Sequence, residues 1–168
     1  SRGLGDVYKR QILNIVVVQK KYRDADYSAK DLAKELQTNT RYLSAVVNSR
    51  FGMNYSCLLN EYRVKEAQHL LTDKRYADKN VEEISTMVGF ANRQSFYAAF
   101  YKNVGETPNG YRKRHAEKEA KKGILLKLSS SMLIDKNVRN SCNAGYLFLQ
   151  DIYYPLGLDK ICTSISKK

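Results

Sequence analysis

Apolar residues recur between residues 28 and 115 at the three- and four-residue spacing of amphipathic helices, and the pattern occurs twice. Residues 31–47 predict a short helix, a turn and a second helix, and residues 83–100 repeat that arrangement. The matching positions are Leu32 and Ile84, Leu43 and Phe96, Val47 and Phe100, and Gly52 and Gly105. The first pair is 52 residues apart and the others are 53 apart, so the second turn is one residue longer.

Each copy is typical of a helix-turn-helix unit. Ser28 and Asn39 are suitable N-caps for the two helices of the first copy, and Asn92 takes the same place before the second helix of the second copy. Residues 55–71, between the copies, carry enough periodic apolar positions for one long connecting helix. Such a connector would set the distance between the two units, and adjacent major-groove faces of DNA lie about 34 Å apart.

The second helix of each copy leaves a polar face exposed when its apolar positions turn inward. Hydroxyl, amide and guanidinium groups on such a face supply hydrogen-bond donors and acceptors suited to the edges of DNA bases. For one copy alone, a DNA-binding surface and an ordinary solvated helix face are equally good interpretations. Two copies in a basic chain favour the DNA-binding interpretation. The exposed positions are Thr40, Arg41, Ser44 and Asn48 in the first copy, and Arg93, Gln94 and Tyr97 in the second.

The chain carries 29 Lys and Arg against 17 Asp and Glu in 168 residues, a formal net charge of +12. This excess favours a polyanionic partner such as nucleic acid. Cys57, Cys142, Cys162 and the two histidines have no metal-ligand spacing, so we expect reduced thiols, no metal and no cofactor. The longest aliphatic run, residues 15–18, is too short to span a bilayer, and nothing before it resembles a signal peptide. We therefore expect a cytoplasmic protein without membrane contact.

A wider set of residues follows the pattern of one family. In the first half these residues are Leu32-Ala33, Tyr42-Leu43, Phe51-Gly52, Glu61-Tyr62-Arg63, Ala67 and Leu70-Leu71. In the more specific second half they are Val81-Glu82-Glu83-Ile84, Val88-Gly89-Phe90, Ser95-Phe96, Phe100, Gly105-Glu106-Thr107-Pro108 and Tyr111-Arg112. Residues 12–115 therefore resemble the DNA-binding domain of AraC/XylS transcription regulators. The resemblance implies an all-α, homeodomain-like fold of seven helices, in which a long linker helix joins two helix-turn-helix subdomains.

The resemblance also implies which side chains meet DNA. The base-contact candidates are Arg41, Ser44, Asn48, Arg93, Gln94 and Tyr97. Arg93 and Gln94 lead this set, because arginine favours guanine and glutamine favours adenine in bidentate geometry. Ala45 and Ala98 share the two faces but offer only a methyl group. The phosphate-contact candidates, which set register without reading sequence, are Thr38, Asn39, Thr40, Asn92, Ser95, Arg112 and Lys113.

Some prominent residues of the second copy have structural interpretations. Gly89 is expected to permit a left-handed turn, and Phe90 after it is expected in the core. Pro108 is expected to begin the last helix of the domain, with Thr107 as its cap.

The start of the chain does not follow the family pattern. Residues 1–11 resemble a translated sequencing-adapter string from assembled metagenomic fragments, and we expect them to be an artefact without function. The apolar pattern of residues 12–22 predicts the first helix of the domain. An upstream effector or signalling domain, through which such a regulator would dimerise, would then be missing from this chain.

A charged stretch and a tail of different composition follow the domain. Residues 116–122 predict a charged helical linker, and residues 123–168 predict a loosely packed tail, helical or disordered. Within the tail, residues 143–149 and 152–162 resemble the pre-catalytic segment of insertion-sequence transposases, with no cluster of acidic metal ligands after them. The alternative is a genuine extension that docks on the domain or mediates dimerisation.

The function predicted from the sequence is sequence-specific DNA binding by a bacterial AraC-type transcription regulator, without enzymatic activity. Its expected partners are double-stranded promoter DNA and RNA polymerase. Two alternatives stay open at this point. One is a transposase-related fragment that recognises element ends, and the other is a helical protein-interaction module.

Overall fold

The computed structural model describes residues 2–134, which fold into seven α-helices. These are α1 (Arg2–Leu13), α2 (Ala29–Glu35), α3 (Thr40–Phe51), α4 (Tyr55–Thr72), α5 (Val81–Met87), α6 (Arg93–Val104) and α7 (Pro108–Ile134). Two short 3₁₀ helices, Lys21–Arg23 and Lys74–Tyr76, lie in the connections, and no strand occurs within residues 2–134. The all-α fold with a long connecting helix, here α4, is confirmed.

Side-chain caps begin the helices at the places that the sequence predicts. Ser28 Oγ accepts a hydrogen bond from the backbone amide of Asp31 at 3.3 Å, and the Asp31 carboxylate accepts one from the Ser28 amide at 2.9 Å. This capping box begins α2. Asn39 and Asn92 each accept a hydrogen bond at 2.8 Å from the amide three residues on, at the start of α3 and α6. The three predicted caps are confirmed, and each contributes about 1 kcal/mol to stability.

The turns of the second copy also follow the prediction. Gly89 has a φ of +103°, a conformation that favours glycine, and Phe90 after it is 4% exposed. Pro108 begins α7, and Thr107 Oγ1 accepts a hydrogen bond from the Gly110 amide at 3.1 Å. The interpretations of these four conspicuous positions are confirmed.

The first helix differs from the prediction. Instead of spanning residues 12–22, α1 ends where a π-helical turn, Asn14–Val18, begins. Lys20 then adopts a left-handed conformation with a φ of +54°, which ends the helical path. Tyr22 is buried as the apolar pattern predicts, but it reaches the core from a 3₁₀ helix, where its ring stacks on Tyr62. The prediction of one continuous helix was therefore wrong.

Most of α1 lies within residues 1–11, the stretch that resembles an adapter string. Tyr8 meets Tyr42 of α3 edge to face, with 5.5 Å between the ring centroids. Asp6 pairs with Arg50, also of α3, at 3.1 Å. The helix therefore packs on α3 in the structure, whereas the origin of residues 1–11 stays a prediction.

Two hydrophobic cores correspond to the two copies of the repeat. Helices α1, α2 and α3 surround the first core, to which α4 contributes Leu58 and Leu59. Helices α5 and α6 surround the second, to which α4 contributes Val64 and Ala67 from its later turns. The residues with the least exposure include Leu32, Leu43 and Val47 in the first core and Ile84, Phe96 and Phe100 in the second. Helix α4 thus belongs to both cores, so the two helix-turn-helix units share one rigid element.

Arg63, on α4, ties the segment before α2 to the turn of the second unit. Its Nε donates a hydrogen bond to the backbone carbonyl of Tyr22 at 2.6 Å, and its Nη2 donates one to that of Asp24 at 3.1 Å. The guanidinium carbon lies 5.6 Å from the centroid of the Phe90 ring. Burial lowers the pKa of the Arg63 guanidinium from its ordinary value. The contacts of this side chain therefore fix the orientation of one unit relative to the other.

Helix α7 continues beyond the second core. Residues 116–122 are helical, as the sequence predicts for a charged linker. The predicted tail begins inside the same helix, where Ile124 and Leu126 are exposed. Residues 135–168, with the segments that resemble a transposase and with Cys142 and Cys162, lie outside the described residues.

Candidate DNA interface

The exposed face of α3 carries the base-contact candidates of the first unit. The side chains of Leu43, Val46 and Val47 turn into the core, which leaves the opposite face in solvent. Arg41, Ser44 and Asn48 are exposed at i, i+3 and i+7, so they form one row along the helix, with Ala45 beside them. The structure therefore brings the three predicted side chains of this unit together.

The exposed face of α6 carries the candidates of the second unit. Phe96, Ala99 and Phe100 are buried, while Arg93, Gln94 and Ala98 are exposed. Tyr97 is half-buried, because its ring packs edge-on against Phe96 at 6.0 Å between centroids. Its hydroxyl accepts a hydrogen bond from Asn109 Nδ2 at 3.2 Å. The predicted residues again share one face, on which the Tyr97 ring packs against Phe96 and its hydroxyl is hydrogen-bonded.

The phosphate-contact candidates lie mainly at the first turns of α3 and α6. Thr40 and Ser95 are exposed there, next to the caps Asn39 and Asn92, whose side-chain oxygens are occupied by backbone amides. Helix N-termini attract anions through their unpaired amides and dipole. Thr38 is half-buried in the turn of the first unit. These positions are of the kind that contacts the DNA backbone, and their contact with phosphates stays a prediction.

Arg112 and Lys113, the two candidates on α7, differ in their surroundings. Lys113 is exposed. Arg112 is half-buried, and its Nη1 donates a hydrogen bond to the carbonyl of Lys79 at 2.8 Å. Its Nη2 is buried without a hydrogen-bond partner among the described residues. In this structure Arg112 holds the loop before α5, and a phosphate contact by it stays a prediction.

Three charged residues near these faces were missed in the sequence. Lys30 and Lys34 of α2 line a groove together with Asp31, Thr38, Asn39 and Thr40 of the first unit. The two lysines are four residues apart, so they lie on one side of α2, opposite the buried Leu32. This spacing could have indicated a pair of exposed cations next to the first unit's polar face. Glu82 of α5 forms an ion pair with Arg93, with Oε1 and Nη1 3.1 Å apart. No local pattern reveals this pair, because its partners belong to different helices.

The sequence of this region matches a known family. Residues 32–114 match the family described as "Helix-turn-helix domain", and the matched range contains both units and α4 between them. Residues 32–114 are similar to helix-turn-helix domains of the AraC type. Such a domain binds DNA in transcription regulators. The matched range thus starts inside α2 and ends inside α7.

Similar proteins support this assignment. The chain is 27% identical over 107 residues to the uncharacterized HTH-type transcriptional regulator YtdP of Bacillus subtilis, an alignment that covers 64% of this chain and 14% of YtdP. It is 27% identical over 90 residues to the melibiose operon regulatory protein of Escherichia coli K12, covering 54% of this chain and 29% of that protein. The chain therefore spans less than a third of the length of either relative.

A solved structure shows the same arrangement of helices. The C-terminal domain of the two-component response regulator yesN from Fusobacterium nucleatum superposes with a TM-score of 0.56 at 28% sequence identity. The match covers 62% of this chain and 97% of that domain. The helix-turn-helix domain described here is thus similar to a complete domain of a larger regulator.

Two further features of the described residues bear on the site. Between residues 2 and 134, His, Cys, Asp and Glu side chains form no group of three that could hold a metal ion. None of the helices in this part of the chain is long and apolar enough to cross a membrane.

Proposed function

We propose that this helix-turn-helix domain binds promoter DNA sequence-specifically in a bacterial regulator, with α3 and α6 in adjacent major grooves of one duplex face. The observation that carries the proposal is the presence of two exposed polar reading faces on one rigid scaffold. The 18 residues of α4 span about 27 Å at 1.5 Å per residue. Adjacent major-groove faces lie about 34 Å apart, so a connector of this length suits two neighbouring grooves.

Each reading face has a division of roles in this proposal. Arg93 reads guanine and Gln94 reads adenine, while Arg41, Ser44, Asn48 and Tyr97 complete the base contacts. The residues at the first turns, together with Lys113, contact phosphates and set the register. Lys30 and Lys34 extend the phosphate contacts of the first unit, because they lie along the same groove as Thr40.

The proposal extends to partners in the cell. The relatives are much longer than this chain, which supports a domain that works within a larger regulator. In such a cytoplasmic regulator an upstream domain would sense a signal and dimerise, and the DNA-bound protein would act on RNA polymerase. The domain itself performs no catalysis in this proposal.

Selection of bound duplexes from a random pool by the full chain tests the proposal. We expect the enriched sequences to contain two conserved segments about 10 base pairs apart, one for each reading helix. Arg93→Ala and Gln94→Ala are then expected to relax selection within one segment, each by about 1–3 kcal/mol of discrimination. Lys65→Ala, which removes an exposed cation on α4, is the matched control and leaves the preference unchanged.

Two outcomes would contradict the proposal. If no sequence is enriched and every duplex binds equally, the domain binds DNA through its basic surface without recognising base sequence. Absence of binding even at low salt would favour the alternative of a helical protein-interaction module.

A further inference from the structure

The guanidinium of Arg93 is held between two neighbours on the exposed face of the second unit. Its Nη1 lies 3.1 Å from Oε1 of Glu82 on α5, and its central carbon lies 4.9 Å from the centroid of the Tyr97 ring. Tyr97 is itself held by Asn109 of α7, as described above. Three helices therefore set the direction of one side chain.

The first unit has no equivalent of this arrangement. By the repeat offsets, Lys30 occupies the position of Glu82, and Thr40 occupies the position of Arg93. Arg41, the arginine of the first reading face, has no carboxylate within ion-pair distance in the part of the chain that the structure describes. Among residues 2–134, a carboxylate therefore lies beside the arginine of the polar face only in the second unit.

A carboxylate at a DNA-binding face has an unfavourable effect on affinity, because it repels the phosphates of every sequence. Its favourable effect is geometric. Arginine recognises guanine through two N–H groups that lie in one plane. When a guanidinium packs on a ring and pairs with a carboxylate along one edge, the N–H groups of its other edge are held in a fixed plane. An exposed ion pair adds little to folding stability, so the main effect of Glu82 falls on the orientation of Arg93.

We propose that Glu82 is a specificity-determining residue of the second unit, which holds Arg93 in the orientation that reads guanine and away from phosphates. Glu82 acts through Arg93 and contacts no base, so it is a positioning residue. This inference rests on the function proposed above, in which Arg93 reads a base pair.

The test uses the full chain and a duplex that the wild-type chain selects from a random pool. The base pair at which Arg93→Ala loses discrimination is replaced by each of the three other pairs, which gives four duplexes. Dissociation constants are measured for the wild type, Glu82→Gln, Arg93→Ala and the double variant. Glu61→Gln is the matched control, because it removes the same charge from another exposed pair, with Lys65 of α4 at 2.7 Å.

We expect Glu82→Gln to bind every duplex about two- to tenfold tighter, since a negative charge next to the phosphates is removed. We also expect the variant to lose about five- to tenfold of its preference for the selected base pair, part of what one bidentate contact contributes. The double variant should discriminate no less than Arg93→Ala alone, because Glu82 has no effect on selectivity without Arg93.

Several outcomes would overturn the inference while the proposed function stands. One is an equal gain on all four duplexes with the preference intact, because Glu82 would then act by its charge alone. Another is the same loss of preference in Glu61→Gln. A third is an Arg93→Ala variant that keeps full discrimination at every base pair, which would also remove the reading role proposed for Arg93 but not sequence-specific binding by the two units. A wild-type chain that prefers no duplex would instead overturn both the inference and the proposed function.

Discussion

Gly89, in the turn of the second unit, lies directly against the backbone of the segment before the first unit. A β-carbon at this position would overlap the carbonyl oxygen of Tyr22 and stand 2.7 Å from the carbonyl carbon of Arg23. The positive φ of Gly89 and this close approach are independent requirements, and both favour glycine. The turn between α5 and α6 therefore also packs against residues 21–24, in addition to the contacts that Arg63 makes with this segment.

Gly89→Ala is expected to lower the free energy of unfolding by at least about 2 kcal/mol, because it adds strain at a positive φ and a clash with backbone. Chemical denaturation monitored by circular dichroism measures the change. Gly52→Ala is the matched control, since Gly52 also has a positive φ, of +68°, but faces open space. It should lose only about 1 kcal/mol. If the two variants lose the same free energy of unfolding, the close approach of Gly89 to residues 22 and 23 does not contribute to stability.

Arg63→Met is expected to destabilise the chain by about 1–3 kcal/mol, because the buried carbonyl of Tyr22 and the partly buried carbonyl of Asp24 lose their donors while the unbranched side-chain volume is kept. The variant should also bind more weakly to a duplex that contains both conserved segments, and the loss should be smaller on a duplex with one segment. The reason is that the contacts of Arg63 set the relative orientation of the two units. Melting curves and titrations of the two duplexes measure these effects. Arg75→Ala, at an exposed pair with Asp73, is the control and should change neither. A proportional loss on both duplexes would argue against an orienting role.

Lys30→Ala and Lys34→Ala are each expected to weaken binding to all duplexes, selected or random. The slope of log affinity against log salt concentration should become shallower by about 0.9 for each lysine that contacts a phosphate. Titrations at several salt concentrations measure the slope, and Lys65→Ala on α4 serves as the control. If the slope is unchanged in both variants, the groove of the first unit does not contact the phosphates of the DNA backbone.

The pair of Arg23 and Glu66 makes stability depend on pH. Burial raises the pKa of the Glu66 carboxyl, but hydrogen bonds from Arg23 and Tyr22 outweigh burial and hold the pKa below its ordinary value of 4.5. The pair therefore stabilises the fold above pH 4.5, and its contribution is lost as the pH falls through the folded-state pKa. The contribution is no more than about 1 kcal/mol, since the Arg23 side chain is 45% exposed.

Comparison of the wild type with Glu66→Gln isolates this contribution from those of other carboxylates. We expect the difference in unfolding free energy between the two proteins to be constant from pH 7 to about pH 5 and to shrink below pH 4.5. Denaturation at a series of pH values measures it. A difference that grows on acidification would contradict the assigned direction of the pKa shift.

Local features of the sequence predicted much of the fold. The caps at Asn39 and Asn92 depend on one side chain and the amide three residues on, so residue type and spacing suffice to find them. The repeat located both reading faces, because the apolar stripe of a helix determines which residues face outward. None of these features is set by a contact between distant parts of the chain.

Features that depend on distant contacts could not be predicted in this way. The end of the first helix is set by Lys20 in a left-handed conformation and by Tyr22 packing on Tyr62, forty residues further on. The pairing of Glu82 with Arg93 likewise joins two helices across a turn. Periodicity gives the face of a helix on which a side chain lies, but it does not give the partner that the side chain finds there.

The shared helix α4 makes the number of residues between the two units as important as their identity. One residue inserted in its middle would rotate everything after it by about 100° and shift it by about 1.5 Å. Core residues before the insertion would keep their partners, while α6 would turn its polar row away from the direction in which α3 points. Substitutions at the exposed positions of α4 can therefore accumulate during evolution, whereas an insertion or deletion there would stop α3 and α6 from facing the same duplex.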